Sequence, residues 1–252
     1  MNNLPEELLA KIFRNLAQKD LLSVSLVNSS FNDVVTSFSL ITTIYIFESS
    51  NFENSPTRKY SKAIIRNDNV ASYRKAFEGI GKSIKEVYFK QHATSFSSVV
   101  SILNMLPNVK VINFYYVRID NDEEEVTENV QAMNGVTLLF HESNPAMFKV
   151  FNEISVVKVD LRFYGDTPYY NFQPFIPFMK NQKELKSFGM SGIYESNLMY
   201  GTIPRGDFKL TEFKICGCDL EEWHYLENFL ADHVDTLERL IVERVRSWDS
   251  SN

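Results

Sequence analysis

The chain reads as an α/β protein in two parts: three short helices over residues 1–38, then a domain of alternating strands and helices over 39–252. Three observations predict this. The first forty residues place apolar side chains at helical spacing. From Ile41 onward a short apolar signature recurs, with a helical stretch between most copies. Within the best copies apolar and polar residues alternate, the period of a strand with one face buried.

The 252 residues, 44% of them hydrophobic, suffice for a substantial core. Lys and Arg number 26 against 32 Asp and Glu, a net charge of −6, so no broad basic field exists and nucleic acid is not expected as the main ligand. Cys216 and Cys218 are too few and too close for a disulfide framework, which implies a reducing compartment. Met1 to Lys11 contains Glu6 and Glu7 and lacks the basic start and apolar core of a signal peptide. The most apolar window, Phe38 to Phe47, falls short of the roughly 20 residues that cross a bilayer. A soluble protein of the cytoplasm or nucleus, with no membrane partner, is the expectation.

Leu4, Leu8, Leu9, Ile12, Phe13 and Leu16 form the apolar stripe of the first helix. Pro5 suits the first helical position, where its missing N–H has no intrahelical acceptor, and Glu6 and Glu7 favour the positive end of the helix dipole. Asp20 is the expected N-cap of a second helix carrying Leu21, Leu22, Val24, Leu26 and Val27. A third runs from Asn28 through Phe31, Val34 and Val35. Three such helices expose more apolar surface than they can bury on one another. Either they cap the hydrophobic end of the following domain, or they dock a helical partner.

Leu4-Pro5-Glu6-Glu7-Leu8-Leu9, Ile12-Phe13-Arg14-Asn15-Leu16, Asp20 to Asn28 and Phe31 together resemble the F-box motif, over about Leu4 to Val35. The segment departs from the pattern at Asn28, where the family usually has Cys, and in lacking a basic residue and a Trp or Arg near Ser30 and Phe31. The resemblance implies binding to the Skp-type adaptor of a cullin-RING ubiquitin ligase. On that basis Leu4, Pro5, Leu8, Ile12, Phe13, Leu16, Leu21, Leu22 and Val27 would be the adaptor-binding residues.

The recurring signature is apolar-x-x-apolar-x-apolar. It occurs at Ile41/Ile44/Ile46, Tyr60/Ala63/Ile65, Ile84/Val87/Phe89, Val109/Ile112/Phe114, Val156/Val159/Leu161, Leu185/Phe188/Met190, Leu210/Phe213/Ile215 and Leu237/Leu240/Val242, with a poorer copy from Val136. The spacing averages roughly 24 or 25 residues, inside the period of leucine-rich repeats. Helical patterns punctuate it: Val70 to Ile80 stopping at Gly81, Val99 to Leu106 before Pro107, and Val126 to Met133 before Asn134-Gly135. Asn144-Pro145 opens a further turn, and Asp219 with Glu222 resembles a capping box ahead of Trp223. A doubly wound sheet would show continuous apolar strands. Here Lys158, Asp160 and Arg162 alternate with Val157, Val159 and Leu161, so one face is wet, as in a right-handed horseshoe solenoid of leucine-rich repeats. The segment Leu210 to Leu220 resembles the cysteine-containing subclass of these repeats, with Cys218 at its structural Cys or Asn position.

Catalytic chemistry finds little support. Ala76 to Ser83 fits a loose phosphate-loop spelling, yet it leaves a helix and enters a strand, the reverse of what points helix N–H groups at phosphate. Cys216 and Cys218 lack a second ligand pair, and His92, His141, His224 and His233 follow no metal-binding spacing, so no metal or cofactor is expected. The run from Asp120 to Glu125 reads as the solvated first turn of the helix expected at Val126. The expected function is therefore a non-catalytic substrate-receptor subunit that joins adaptor and cullin-RING subunits to an unidentified target. The wet strand row Glu86, Tyr88, Lys90, Asn113, Tyr115, Lys158, Asp160, Arg162, Glu212, Lys214, Arg239 and Glu243 would touch that target. Two rivals remain open, a repeat scaffold without a ligase role and a nucleotide-dependent enzyme using the Ala76 to Ser83 loop.

Overall fold

A computed structural model describes residues 4–37, 41–46, 60–66, 70–121, 126, 128–163, 172–193, 205–220 and 223–247. Three helices open the chain, α1 (Glu6–Phe13), α2 (Gln18–Ser25) and α3 (Ser29–Ser37). The strands follow as β1 (Thr43–Ile46), β2 (Lys62–Ile65), β3 (Glu86–Lys90), the short β4 (Ala93–Thr94), β5 (Val111–Tyr115), the short β6 (Arg118–Ile119), β7 (Met133–His141), β8 (Ile154–Arg162), β9 (Ser187–Ser191), β10 (Glu212–Cys216), the short β11 (Asp219–Leu220), β12 (Arg239–Glu243) and the short β13 (Arg246–Ser247). Helices α4 (Val70–Ile80), α5 (Phe96–Asn104), α6 (Phe175–Asn181) and α7 (Trp223–Ala231) lie between strands, with 3-10 turns at Gly81–Ser83 and Pro145–Val150.

Nine of the described strands form one parallel sheet whose spatial order is the chain order, β1-β2-β3-β5-β7-β8-β9-β10-β12. Every signature copy, including the poorer one, falls on one of these strands. Register aligns the copies, so Ile44, Ala63, Val87, Ile112, Leu138, Val159, Phe188, Phe213 and Leu240 make one lateral row. The row two residues further on runs from Ile46 through Phe89, Phe114 and Phe140 to Val242. Both rows are buried from β1 to β10 in one cluster with the helices. Aromatic rings run through it: Phe89 stacks on Phe114 and Phe114 on Phe140, each pair with centroids 5.0 Å apart, and Phe140 stacks on Phe148 at 4.5 Å. Wide rings bridge the gap between neighbouring strands, which is why a Phe-rich sequence fills this core with few leucines.

A backbone device recurs after the strands. Gln91, Tyr116, Glu142, Gly192, Gly217 and Arg244, each just past a strand end, all have positive φ between 47° and 69°. The N–H of the first five donates to the last carbonyl of the neighbouring strand, from Gln91 to Tyr115 at 2.8 Å through Gly217 to Glu243 at 2.8 Å. Left-handed backbone costs a non-glycine residue about 1–2 kcal/mol. It recurs because it turns the chain off the sheet while keeping the ladder paired.

The N-terminal helices join this core. Ala10, Phe13, Leu21, Val34 and Val35 are buried in the same cluster as Ile41 and Ile44, and Phe13 meets Phe31 edge-on at 5.4 Å. The Gln18 side-chain amide donates to the Thr43 carbonyl and accepts from the Thr43 N–H (3.3 Å), pairing an edge that would otherwise stay open. At the opposite edge, the apolar row of β12 is uncovered among the described residues, with Leu240 48% and Val242 40% exposed.

Several local expectations change. Pro5 lies one position outside α1 in extended backbone, its carbonyl accepting from Leu8 (3.0 Å) and Leu9 (3.1 Å). Asp20 sits in the first turn of α2, which begins at Gln18 after an extended Ala17, and α2 ends before Leu26 and Val27. Asn28 does cap α3, accepting from the Phe31 N–H at 2.8 Å. No helix covers the described residues of the 126–133 segment. Met133 opens β7 instead, and Gly135 (φ 68°) sits at a register shift within it, so the breaker pair makes a bulge. Asp219 pairs with Arg246 in a short strand ladder; Glu222, the other half of the expected capping box, lies outside the described residues, as do Asp122 to Glu125 and Trp248. Asn144 caps as expected, accepting from the Ala146 N–H at 2.9 Å, but the turn it opens is 3-10. Gly81 has no left-handed cap geometry; a Cβ there would clash with the Met105 carbonyl oxygen, so the glycine permits close approach of the backbone that ends α5.

Gly135 and Gly192 share positive φ, but an added Cβ meets only Lys110 Nζ at 3.9 Å in the first and the Phe163 carbonyl oxygen at 1.7 Å in the second. Urea unfolding should therefore show Gly135→Ala losing about 1 kcal/mol, and Gly192→Ala losing that plus about 1–3 kcal/mol of overpacking. His233 is buried between Phe208, stacked at 5.4 Å, and Phe229, edge-on at 4.8 Å. Burial, then the Lys209 charge, lowers its pKa below 6.5, with Asp232 opposing. The unfolded chain then binds more protons, so the stability this group contributes is complete above pH 6.5 and falls as pH drops below it. Melting temperature should decline between pH 7 and pH 5.5, and His233→Phe should flatten that decline.

Candidate functional site

Two surfaces carry the residues singled out from sequence. The first lies on the N-terminal helices, where the apolar stripe divides. Phe13 and Leu21, at 5% and 4% exposure, face the chain's own interior, and Leu16 is half-buried against it. Leu4, Leu8 and Ile12, 51%, 45% and 51% exposed, form an i, i+4, i+8 row along α1 that nothing described covers. Leu22 (42%), Leu26 (86%) and Val27 (66%) are likewise open on α2 and just after it, and Pro5 is exposed beside Leu4. Phe13, Leu16 and Leu21, three of the nine residues expected to contact an adaptor, thus pack α1 and α2 against the rest of the chain. Leu26, outside that expected set, stands open beside the other six. Single exposed leucines are ordinary, but six apolar side chains clustered on α1 and at the end of α2 are not.

The second surface is the other face of the nine-stranded sheet. Register places all twelve expected target-contact residues on it in three rows. Glu86, Lys158, Glu212 and Arg239 share one row; Tyr88, Asn113, Asp160 and Lys214 the next; Lys90, Tyr115, Arg162 and Glu243 the third. Lys62 and His141, absent from that set, stand in the first and third rows. Lys62 belongs to the copy weakened by Ala63, and His141 ends the poor copy; the alternation within those copies was the signal for both.

Charges on the C-terminal half of this face engage one another. Glu212 receives Arg239 at 3.1 Å, Lys158 at 3.8 Å and the Ser187 hydroxyl at 2.8 Å. Arg162 donates through Nε (3.0 Å) and Nη2 to Asp160 Oδ2. Asp160 is buried, and its Oδ1 has no hydrogen-bond partner among the described residues. That carboxylate lies over Gly189, where a Cβ would come within 2.9 Å of Oδ1, so the glycine makes room for it. Burial, then Arg162, lowers the His141 pKa, with Asp160 opposing, so His141 is neutral at pH 7. On the N-terminal half the cations sit over rings, Lys62 Nζ 3.8 Å from the Tyr88 centroid and Lys90 Nζ 5.2 Å from that of Tyr115.

The remaining sequence candidates stay apart. Ser83 Oγ is spent on the Tyr60 and Ile80 carbonyls (2.6 and 2.8 Å) in a 3-10 turn that follows α4 and precedes β3. Cys218 is buried, donates to the Cys216 carbonyl at 3.4 Å, and has its thiol pushed up to about 11 by burial. Burial also raises Cys216. Such thiols are poor nucleophiles and poor metal ligands. Among the described residues no group of three His, Cys, Asp or Glu could hold a metal ion, and no helix is long and apolar enough to cross a membrane.

No curated protein matches the chain. Residues 1–47 match the F-box-like family model, so the segment that presents the open apolar rows is an F-box-like domain.

Proposed function

We propose that this chain is a substrate-receptor subunit of an SCF-type ubiquitin ligase. The carrying observation is the unsealed pair of apolar rows, Leu4/Leu8/Ile12 and Leu22/Leu26/Val27, on a domain matching the F-box-like family. F-box domains generally bind Skp-type adaptors, and a partner helix laid against regularly spaced apolar anchors would cover these rows. Through that adaptor the cullin and RING subunits would be recruited. The sheet would be a leucine-rich-repeat-like horseshoe, a reading supported by its chain-order strands, the signature on each strand, and the left-handed residue recurring after them. Its wet face would hold the target. The chain makes and breaks no bonds in this reading. It raises the effective concentration of the target's lysines near a catalyst carried by another subunit, in the cytoplasm or nucleus.

A second reading, a repeat scaffold whose N-terminal helices serve only as a cap, draws on the continuity of their buried side with the sheet core and on the Gln18 pairing with β1. The two readings part over the open rows. Leu8→Asp with Ile12→Asp alters exposed positions only, so it should leave the melting temperature unchanged while weakening binding of a Skp-type adaptor at least about 30-fold, roughly 2 kcal/mol. Phe13→Ala should lower folding stability by about 3–5 kcal/mol. Adaptor binding that survives the double Asp variant removes the docking role of these rows, and a native chain that binds no adaptor leaves the scaffold.

A further inference from the structure

The wet face differs in charge from the rest of the molecule. Its strand residues include six cations, Lys62, Lys90, Lys158, Arg162, Lys214 and Arg239, against four carboxylates, within a chain that has 26 basic and 32 acidic residues. The face is therefore net positive on a net negative protein. The carboxylates are also the better occupied. Glu212 and Asp160 are taken by the cations already described. Glu86 accepts from the Tyr88 hydroxyl at 3.4 Å, and Glu243 from the Cys216 thiol at 3.8 Å. Among the described residues no carboxylate lies within ion-pair distance of Lys62 or Lys90. Each ammonium instead stands over a tyrosine ring, which holds it in place without neutralising it.

We infer that this face binds an extended, carboxylate-rich segment of its protein target, with Lys62 over Tyr88 and Lys90 over Tyr115 as the paired cationic contacts. The inference rests on the reading of the wet face as the target surface and adds the chemistry it selects. Spacing supports an extended occupant. Tyr88 is in register with Asn113, so Tyr115 stands one strand across and two residues along. That offset is about 8 Å, from spacings of roughly 4.8 Å across and 3.3 Å per residue. Alternate side chains of an extended peptide lie about 7 Å apart on one face, so acidic residues at i and i+2 match the two stations. The tyrosine rings supply apolar area for the stems between them.

The probes are four fluorescein-labelled octapeptides, each alternating serine with glutamate, alanine, lysine or phosphoserine, titrated into the full chain at low salt by fluorescence anisotropy. The glutamate peptide should bind more tightly than the alanine and lysine peptides and lose affinity as salt rises. Lys62→Gln with Lys90→Gln should weaken it about tenfold, with melting temperature and adaptor co-purification unchanged. No binding of the glutamate peptide, equal binding of the lysine peptide, binding only of the phosphoserine peptide, or an unaffected double variant would each overturn the inference. Adaptor binding is read in the same preparations, so loss of acidic preference with the adaptor still bound counts against this inference alone. Acidic preference without adaptor binding counts against the ligase reading alone.

Discussion

Parallel pairing in strict chain order is the constraint on which the structure rests. Each strand has room to bury a single face, and it does so only because its neighbours bury the same two rows at the same height. A slip of one residue in β3 would turn Phe89 outward and bring Tyr88 or Lys90 into the core, and one in β5 would exchange Phe114 for Asn113 or Tyr115. The left-handed residue that ends the strands serves the same register, since its N–H continues the ladder one position beyond the sheet. What faces the water is then fixed by parity, and the cationic and aromatic rows are the residues left over once the core is filled.

The N-terminal domain follows a different logic. Its helices are eight or nine residues long, too short to persist alone in water. They are held by one buried side, through Phe13, Leu21, Val34 and Val35, and by the Gln18 bonds to the edge strand. That anchorage leaves the opposite side of α1 and the end of α2 free, so the helices are at once a cap on the sheet and a presented surface. Capping and docking stand as alternatives in the sequence; here one side of the helices caps the sheet, and the other is open for the docking proposed above.

Much of this was legible in the residues. The signature located the strands of the main sheet, even in the copy weakened by Ala63, because period-two alternation survives poor leucine content. Alternation also separated the two faces of the sheet, although Asn113 and Asp160 on the second face are buried. Helix boundaries were less legible: Asp20 and Asp219 have the side chains of N-caps, but neighbouring pairing decides whether an aspartate caps or extends. Asn134-Gly135 reads as a helix stop in the sequence because a bulge within a strand uses the same positive φ. On the N-terminal helices the apolar stripe was visible, but its division into a sealed and an open side was not. Phe13 and Ile12 are adjacent, and helical geometry alone does not say which one the rest of the chain will cover.

The account turns on whether the open rows of α1 and α2 belong to another subunit. Amide hydrogen exchange of the full chain, alone and mixed with a Skp-type adaptor, addresses this directly. The prediction is rapid exchange in α1 and α2 when free, with strong protection confined to these helices and the segment just after α2 once the adaptor is added. Slow exchange there in the free chain, or no change on adding the adaptor, would contradict it.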